Sequence, residues 1–171
     1  MANFQNITIK EIQKETADAV SIVFDIPENK KSEYQFQSGQ YITLQKEIQG
    51  ETVRRAYSIC STPKSGELRV AVKAVQDGTF SVYATSELKV GDVIEVAPPE
   101  GRFLLDPKPN QNYIAFAAGS GITPIISMAK TVLETEPTSS FTLVYGNRSK
   151  ADTIFYDQLI ELREQYPQFH L

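Results

Sequence analysis

The rhythm of apolar and polar positions changes near the middle of the chain. Through the first hundred residues, apolar side chains recur at every second position. Val20, Ile22 and Phe24 share one strand face, as do Leu68, Val70, Val72 and Ala74. That period fits strands with one face on a core and the other toward water. The clearest predicted strands are GQYITL at 39–44, VRRAYSI at 53–59, ELRVAVKAV at 67–75 and DVIEV at 92–96, separated by turns containing glycine or proline. FSVYATSEL at 80–88 is the one segment in this half compatible with a short helix. The pattern predicts a small antiparallel β-barrel of Greek-key type.

Prolines and polar residues dominate 97–112, which reads as a crossing between domains. Beyond it, NYIAFAAG at 112–119 is an uninterrupted apolar strand ending in glycine, the pattern of a buried parallel strand. TPIISMAKTVLE at 123–134 follows with apolar residues at 125, 128, 129, 132 and 133, one face of a helix. FTLVYGN at 141–147 repeats the strand. The segment 151–166 repeats the helix, with Phe155, Leu159, Leu162 and Tyr166 on one stripe, and Phe169, His170 and Leu171 begin a third strand. Strand and helix in alternation predict a partial doubly wound α/β parallel sheet. The expected division is a barrel over 1–106 and the N-terminal part of an α/β domain over 107–171, truncated where such a sheet ordinarily continues.

Composition narrows the partners. The 17 basic residues against 21 acidic ones give a net charge of -4, which supplies no broad electropositive surface, so nucleic acid is not an expected partner. No apolar run approaches the ~20 residues that cross a bilayer, and the first residues lack the apolar stretch of a secretion signal. The expectation is a cytoplasmic protein away from membranes. One cysteine, Cys60, precludes an internal disulfide or a cysteine-ligated cluster built from this chain alone. One histidine, His170, leaves little for a metal site, and none is expected.

The chemistry concentrates in a few short stretches. Within RRAYSICS at 54–61, Arg55 offers a planar fork of donors suited to phosphate oxygens, and Tyr57 offers a flat face with one hydroxyl. Such a set fits a ligand with a ring at one end and a phosphate at the other; a solvated arginine beside a core tyrosine fits it equally. Gly78, Thr79, Phe80 and Ser81 open the predicted short helix, where free amides and the helix dipole favour an anion, although DGTFS alone is an ordinary turn and cap. GSGITP at 119–124 follows a buried strand and opens a helix, the setting of a dinucleotide site. Gly119 and Gly121 leave room for a pyrophosphate, and Pro124 suits the first turn. Arg148 lies just past the second parallel strand, where it serves either a 2′-phosphate or the solvent. Ser149 and Asp152 are candidate helix caps. Two residues beyond Ser58, Cys60 falls on the same strand face and reads as a small core residue.

Taken together these stretches resemble the ferredoxin–NADP reductase family of flavoproteins. R-x-Y-S at 55–58, GQY at 39–41, VKA at 72–74, G-x-x-S at 78–81, P-x-G-x-F at 99–103 and the G-x-G-x-x-P run fall in the order that family shows, across nearly the whole chain. The wording is most like the reductase components of multicomponent oxygenases.

The resemblance implies FAD in the barrel and NADPH, or NADH, on the α/β part. It implies a flavin-dependent oxidoreductase passing a hydride from NADPH to FAD and electrons singly to an oxygenase or an appended [2Fe–2S] domain, which this chain lacks the cysteines to build. A fragment cut short in the nucleotide sheet is expected to keep FAD better than it turns over NADPH. The resemblance further implies cofactor contacts from Arg55, Ala56, Tyr57, Ser58, Val72, Lys73, Ala74, Gly78, Thr79, Phe80, Ser81, Gly119, Gly121, Thr123 and Arg148, with Ser58 and Thr123 nearest the reacting atoms. Lys73 alone reads as solvated. Two other outcomes stay open: a flavin-binding or interaction module without catalysis, and a reductase of the same fold using FMN.

Overall fold

The computed structural model describes residues 3–171. Six antiparallel strands form the first half: β1 (Gln5–Thr16), β2 (Ala19–Asp25), β3 (Tyr41–Ile48), β4 (Glu51–Ser58), β5 (Leu68–Lys73) and β6 (Val93–Val96). Their order in the sheet is β4-β3-β6-β1-β2-β5, which leaves β4 and β5 as edges. The sheet curls until those edges meet: Ile59 bridges Val70, and the Cys60 amide donates to the Arg69 carbonyl at 2.9 Å. A Greek-key barrel results, as the alternating pattern predicts. Val20, Ile22, Phe24, Leu68, Val70 and Val72 all point into its core.

β1 is the strand the alternation does not announce. Ile7 and Ile9 are buried on one face, but a register shift between Ile9 and Glu11 moves the next apolar residue, Ile12, out of period. A bulge of this kind inserts a residue and bends the strand, hiding it from a period-two reading. At one mouth of the barrel sits helix α1 (Thr79–Ser86), which buries Phe80, Ser81 and Ala84 against the open edges of β4 and β5. GQY and P-x-G-x-F interlock at another point. Tyr41 and Glu100 exchange two backbone hydrogen bonds of 2.9 Å, and a Cβ on Gly101, at φ +125°, would stand 3.1 Å from the Tyr41 ring. Only glycine lets that loop take this conformation and lie flat on the tyrosine.

The second half contains β7 (Asn112–Ala118), α2 (Ile122–Thr135), β8 (Ser140–Gly146), α3 (Tyr156–Gln165) and β9 (Phe169–His170). The strands are parallel in the order β7-β8-β9. Stepping from strand to strand in one direction through crossovers of one hand puts both helices on one face of the sheet. Among the described residues, the helices therefore cover one face of β7. Tyr113, Ala115 and Ala117 pack under the helices, while Ile114 is 67% and Phe116 74% exposed on the other side. The second helix also starts later than its stripe predicts. Phe155 adopts φ 62°, which drops its side chain into the core at 3% exposure, and regular α-helix begins at Tyr156. No helix among the described residues is long and apolar enough to cross a membrane.

The two halves meet along a seam. Ala19, Cys60 and Ala71 of the barrel share one apolar cluster with Ile122, Ile126 and Ala129 of α2. Small barrel residues let the helix approach closely, which brings its N-terminus beside the open edges of β4 and β5.

Candidate functional site

A cavity of about 460 Å³ opens where the gap between β4 and β5, the start of α1 and the start of α2 converge. Arg55, Ala56, Tyr57 and Ser58 line it from β4; Lys73 lines it from β5; Gly78, Thr79, Phe80 and Ser81 from the start of α1; and Gly121 and Thr123 from the start of α2. Segments more than sixty positions apart in the chain thus form one groove. Four consecutive residues of β4 reach it because β4 is an edge strand. Its unpaired backbone side faces the groove, and side chains from both pleat faces flank that side.

Each wall has a physical character. Arg55 is exposed, and among the described residues its guanidinium donates only to the Arg54 carbonyl, at 2.7 Å, which leaves further donors for a ligand. The Tyr57 ring packs 5.7 Å from the Phe80 ring, and burial pushes its phenol up to about 12, against a smaller opposing pull from Arg55. The hydroxyl therefore stays a neutral donor across physiological pH. At the opposite wall, α1 has no side-chain cap: Gly78 occupies the N-cap position. A Cβ there would run into the Ser81 hydroxyl and come within 2.6 Å of Val75 Cγ2. The Ser81 hydroxyl in turn accepts the Val75 amide at 3.2 Å, which leaves the first-turn amides of α1 without a protein partner.

A cation on one wall and uncapped helix amides on the other are a donor set for a diphosphate, and the half-buried Tyr57 ring, backed by the buried Phe80, suits a flat ring. The residues present therefore fit a flavin dinucleotide. Across the groove, Thr123 is 6% exposed, with its hydroxyl donating to the Ser120 carbonyl at 3.1 Å. Pro124 stands in the first turn of α2, as its missing amide allows.

Four residues singled out from sequence do not line this groove. The Val72 side chain is fully buried in the barrel core, and the Ala74 amide donates to the Asp18 carbonyl at 2.7 Å. The Gly119 carbonyl accepts the Tyr145 hydroxyl at 2.8 Å. Arg148 is exposed past the end of β8. Conversely, Ala71, Val75, Ser120 and Pro124 do line it, although the motifs mark none of them as a cofactor contact. Alternation carries the missing signal for one of them: within β5, if Lys73 faces the groove, so must Ala71, whereas Val72 faces away; Val75 lies past the end of the strand.

Cys60 departs from its expected face. β4 ends at Ser58, so the alternation does not run on, and the buried thiol lines a separate cavity with Arg69 and Lys130. It donates to the Arg69 carbonyl at 3.3 Å, and burial pushes it up to about 12, so it is no nucleophile.

Comparison with known proteins finds two families along the chain. Residues 6–104 match the family described as the oxidoreductase FAD-binding domain, and residues 116–171 match the oxidoreductase NAD-binding domain. The chain is 43% identical over 170 residues to one component of the 1,2-phenylacetyl-CoA epoxidase of Escherichia coli, covering 98% of this chain and 48% of that protein. It is 37% identical over 164 residues to the ferredoxin reductase component of 3-ketosteroid-9-alpha-monooxygenase from Rhodococcus rhodochrous, covering 94% and 46%. The chain thus spans about half the length of these relatives. Among solved structures, it is similar to the flavohem-like FAD/NAD binding domain of nitric oxide dioxygenase from Vibrio cholerae. The TM-score is 0.85 with 25% identity, covering 97% of this chain and 72% of that one.

Proposed function

This chain belongs to the oxidoreductases that join an FAD-binding domain to an NAD-binding domain, and on that premise we propose that it serves an NADPH-dependent flavoprotein reductase feeding an oxygenase. The single observation carrying the proposal is the convergence of Arg55, the uncapped start of α1 and the start of α2 on one groove. Bound there, FAD supplies a hydride acceptor that can release electrons one at a time. Arg55 and the first-turn amides of α1 neutralise its diphosphate; Tyr57 covers its ring; Lys73 closes the side at β5. Ser58 and Thr123, on facing walls, hold hydroxyls beside the reacting atoms and orient the nicotinamide against them.

In this reading residues 1–106 bind the flavin and residues 107–171 contribute the first part of the nicotinamide site. Arg148, exposed past β8, supports NADPH over NADH by offering its fork to a 2′-phosphate. The onward acceptor is an oxygenase or an iron–sulfur domain. Support comes from the names of the relatives, one a component of an epoxidase and the other a ferredoxin reductase component of a monooxygenase. Dependence on a nicotinamide pool suits a cytoplasmic location.

The decisive test is optical. Purified protein mixed with FAD should turn yellow and retain the colour through gel filtration, NADPH should bleach it under argon faster than NADH does, and mass analysis should identify the released flavin as FAD. Protein that takes up neither FAD nor FMN removes the proposal. Flavin that binds but resists both nucleotides, even in a chain extended to the full length of its relatives, reduces it to a binding module.

A further inference from the structure

One polar bond crosses the apolar seam between the barrel and α2. Ser127 is completely buried on the face of α2 that meets the barrel, and its hydroxyl donates to the Ser61 carbonyl at 2.6 Å. A serine at that place is unusual by its neighbours, which are Ile122, Ile125, Ile126, Met128 and Ala129. Helix serines and threonines without a distant partner bond back one turn, as Thr131 does to the Ser127 carbonyl and Thr135 to the Thr131 carbonyl, both at 2.7 Å. Ser127 instead reaches 66 positions back in the chain.

Its partner is itself held in place. The Ser61 hydroxyl donates to the Glu67 carbonyl at 2.8 Å and accepts the Arg69 amide at 3.2 Å, just beyond the Ile59–Val70 bridge that closes the barrel. Each end of the bond is a near neighbour in the chain of a groove residue, although Ser61 itself lines the separate cavity beside Cys60. Ser61 follows Ser58 by three positions. Ser127 follows Thr123 by four, which sets the two on one helix face a single turn apart.

From this we propose that Ser127 is a positioning residue. Its bond to Ser61 fixes α2 against the barrel and so sets the spacing of Thr123 from Ser58 across the groove. The inference rests on the flavin-reductase reading and names the element that gives that site its width. The apolar contacts along the seam are non-directional, so they hold the helix down without fixing its sliding position; a short buried hydrogen bond does fix it. Because reacting atoms must meet within a few tenths of an ångström, a small slide of α2 changes rate far more than affinity.

The test compares Ser127→Ala with wild type and with Val132→Ala, all as full chain loaded with FAD. Val132 is buried on the same helix, so its truncation weakens packing while leaving the bond in place. Ser127→Ala should retain FAD yet lower the rate of flavin reduction at saturating NADPH by ~10–100-fold, with KM moving by less than about threefold. Amides of residues 121–123 should exchange hydrogen faster than in wild type. Val132→Ala should lose at least as much thermal stability while keeping the saturated rate within about threefold of wild type.

A wild-type saturated rate in Ser127→Ala overturns the proposal, as does an equal slowing in Val132→Ala. Should wild type itself bind no flavin or resist both nucleotides, the reductase reading fails instead. The exchange measurement then decides alone: unchanged exchange at 121–123 in Ser127→Ala overturns the tie, and faster exchange sustains it.

Discussion

Replacing Arg55 by alanine should separate cofactor binding from folding. The side chain is exposed, bonds only to its neighbour's carbonyl at 2.7 Å and forms none of the ion pairs found among the described residues. Its loss should therefore move the stability of flavin-free protein by no more than about 0.5 kcal/mol. In the proposed function the same guanidinium would face the FAD diphosphate, and hydrogen bonds between charged groups contribute about 1.5–3 kcal/mol. Affinity for FAD should fall roughly 10- to 150-fold. At FAD one hundredfold above the wild-type Kd, ligand stabilisation is about 2.7 kcal/mol; a hundredfold weaker Kd leaves about 0.4 kcal/mol. For a chain of this size about 1 kcal/mol moves Tm by about 2–4 °C, so the FAD-induced rise in Tm should shrink by about 5–9 °C. Thermal melts with and without FAD, beside a fluorescence titration, measure both quantities. An undiminished FAD-induced shift in Arg55→Ala would refute the diphosphate role, and an equal fall in the flavin-free Tm would make Arg55 a structural residue.

Gly78→Ala should be costly despite its small size, because the new methyl meets Val75 Cγ2 at 2.6 Å and displaces the Ser81 hydroxyl that holds the Val75 amide. Overpacking of this kind costs about 1–3 kcal/mol and should lower both Tm and FAD retention; an unchanged melt would show that the loop has slack. Stability should also decline in alkali. Burial raises the folded Cys60 thiol from 9.0, and the Tyr34, Tyr57 and Tyr145 phenols from 10.0, to about 12. The unfolded chain therefore releases these protons first. Their contribution is complete below pH 9 and is lost as pH climbs from 9 toward 12, so urea midpoints should be level up to that point and then fall. Midpoints that rise with pH across this window would contradict the assigned burial.

How much of the fold is legible in the sequence depends on what kind of physics each feature obeys. The barrel core is legible because Val20, Ile22, Phe24 and Leu68, Val70, Val72 alternate, and alternation follows from strand geometry alone. β1 is not, since its bulge after Ile9 breaks the period on which that inference rests. The apolar run of β7 is legible as a strand with two hydrophobic faces, but which face the described helices cover is set by strand order, a long-range property. Phe155 shows the same limit at short range: a left-handed residue that buries its own ring has no signature in the helical stripe around it.

The groove poses a sharper case, because motif and geometry select different atoms of the same strand. A contiguous motif at 72–74 is a statement about backbone, whose groups on successive residues follow one edge. A lining at 71 and 73 is a statement about side chains, which obey the pleat, and Val75 joins it from the loop beyond β5. Both hold for one strand at once, and β5 has an open edge toward β4 where each can act. Substitutions at Ala71 and Val75 should therefore alter what fits against the groove wall, whereas substitution at Val72 acts through the barrel core. The same distinction explains why Thr123 and Ser127 belong together although only the first lines the groove. A helix repeats its facing every turn, so the residue that meets the ligand and the residue that anchors the helix are placed by a single periodicity. The sequence motif includes the first of these, which the proposed function places beside the reacting atoms; the second becomes visible only when the barrel carbonyl it reaches is known.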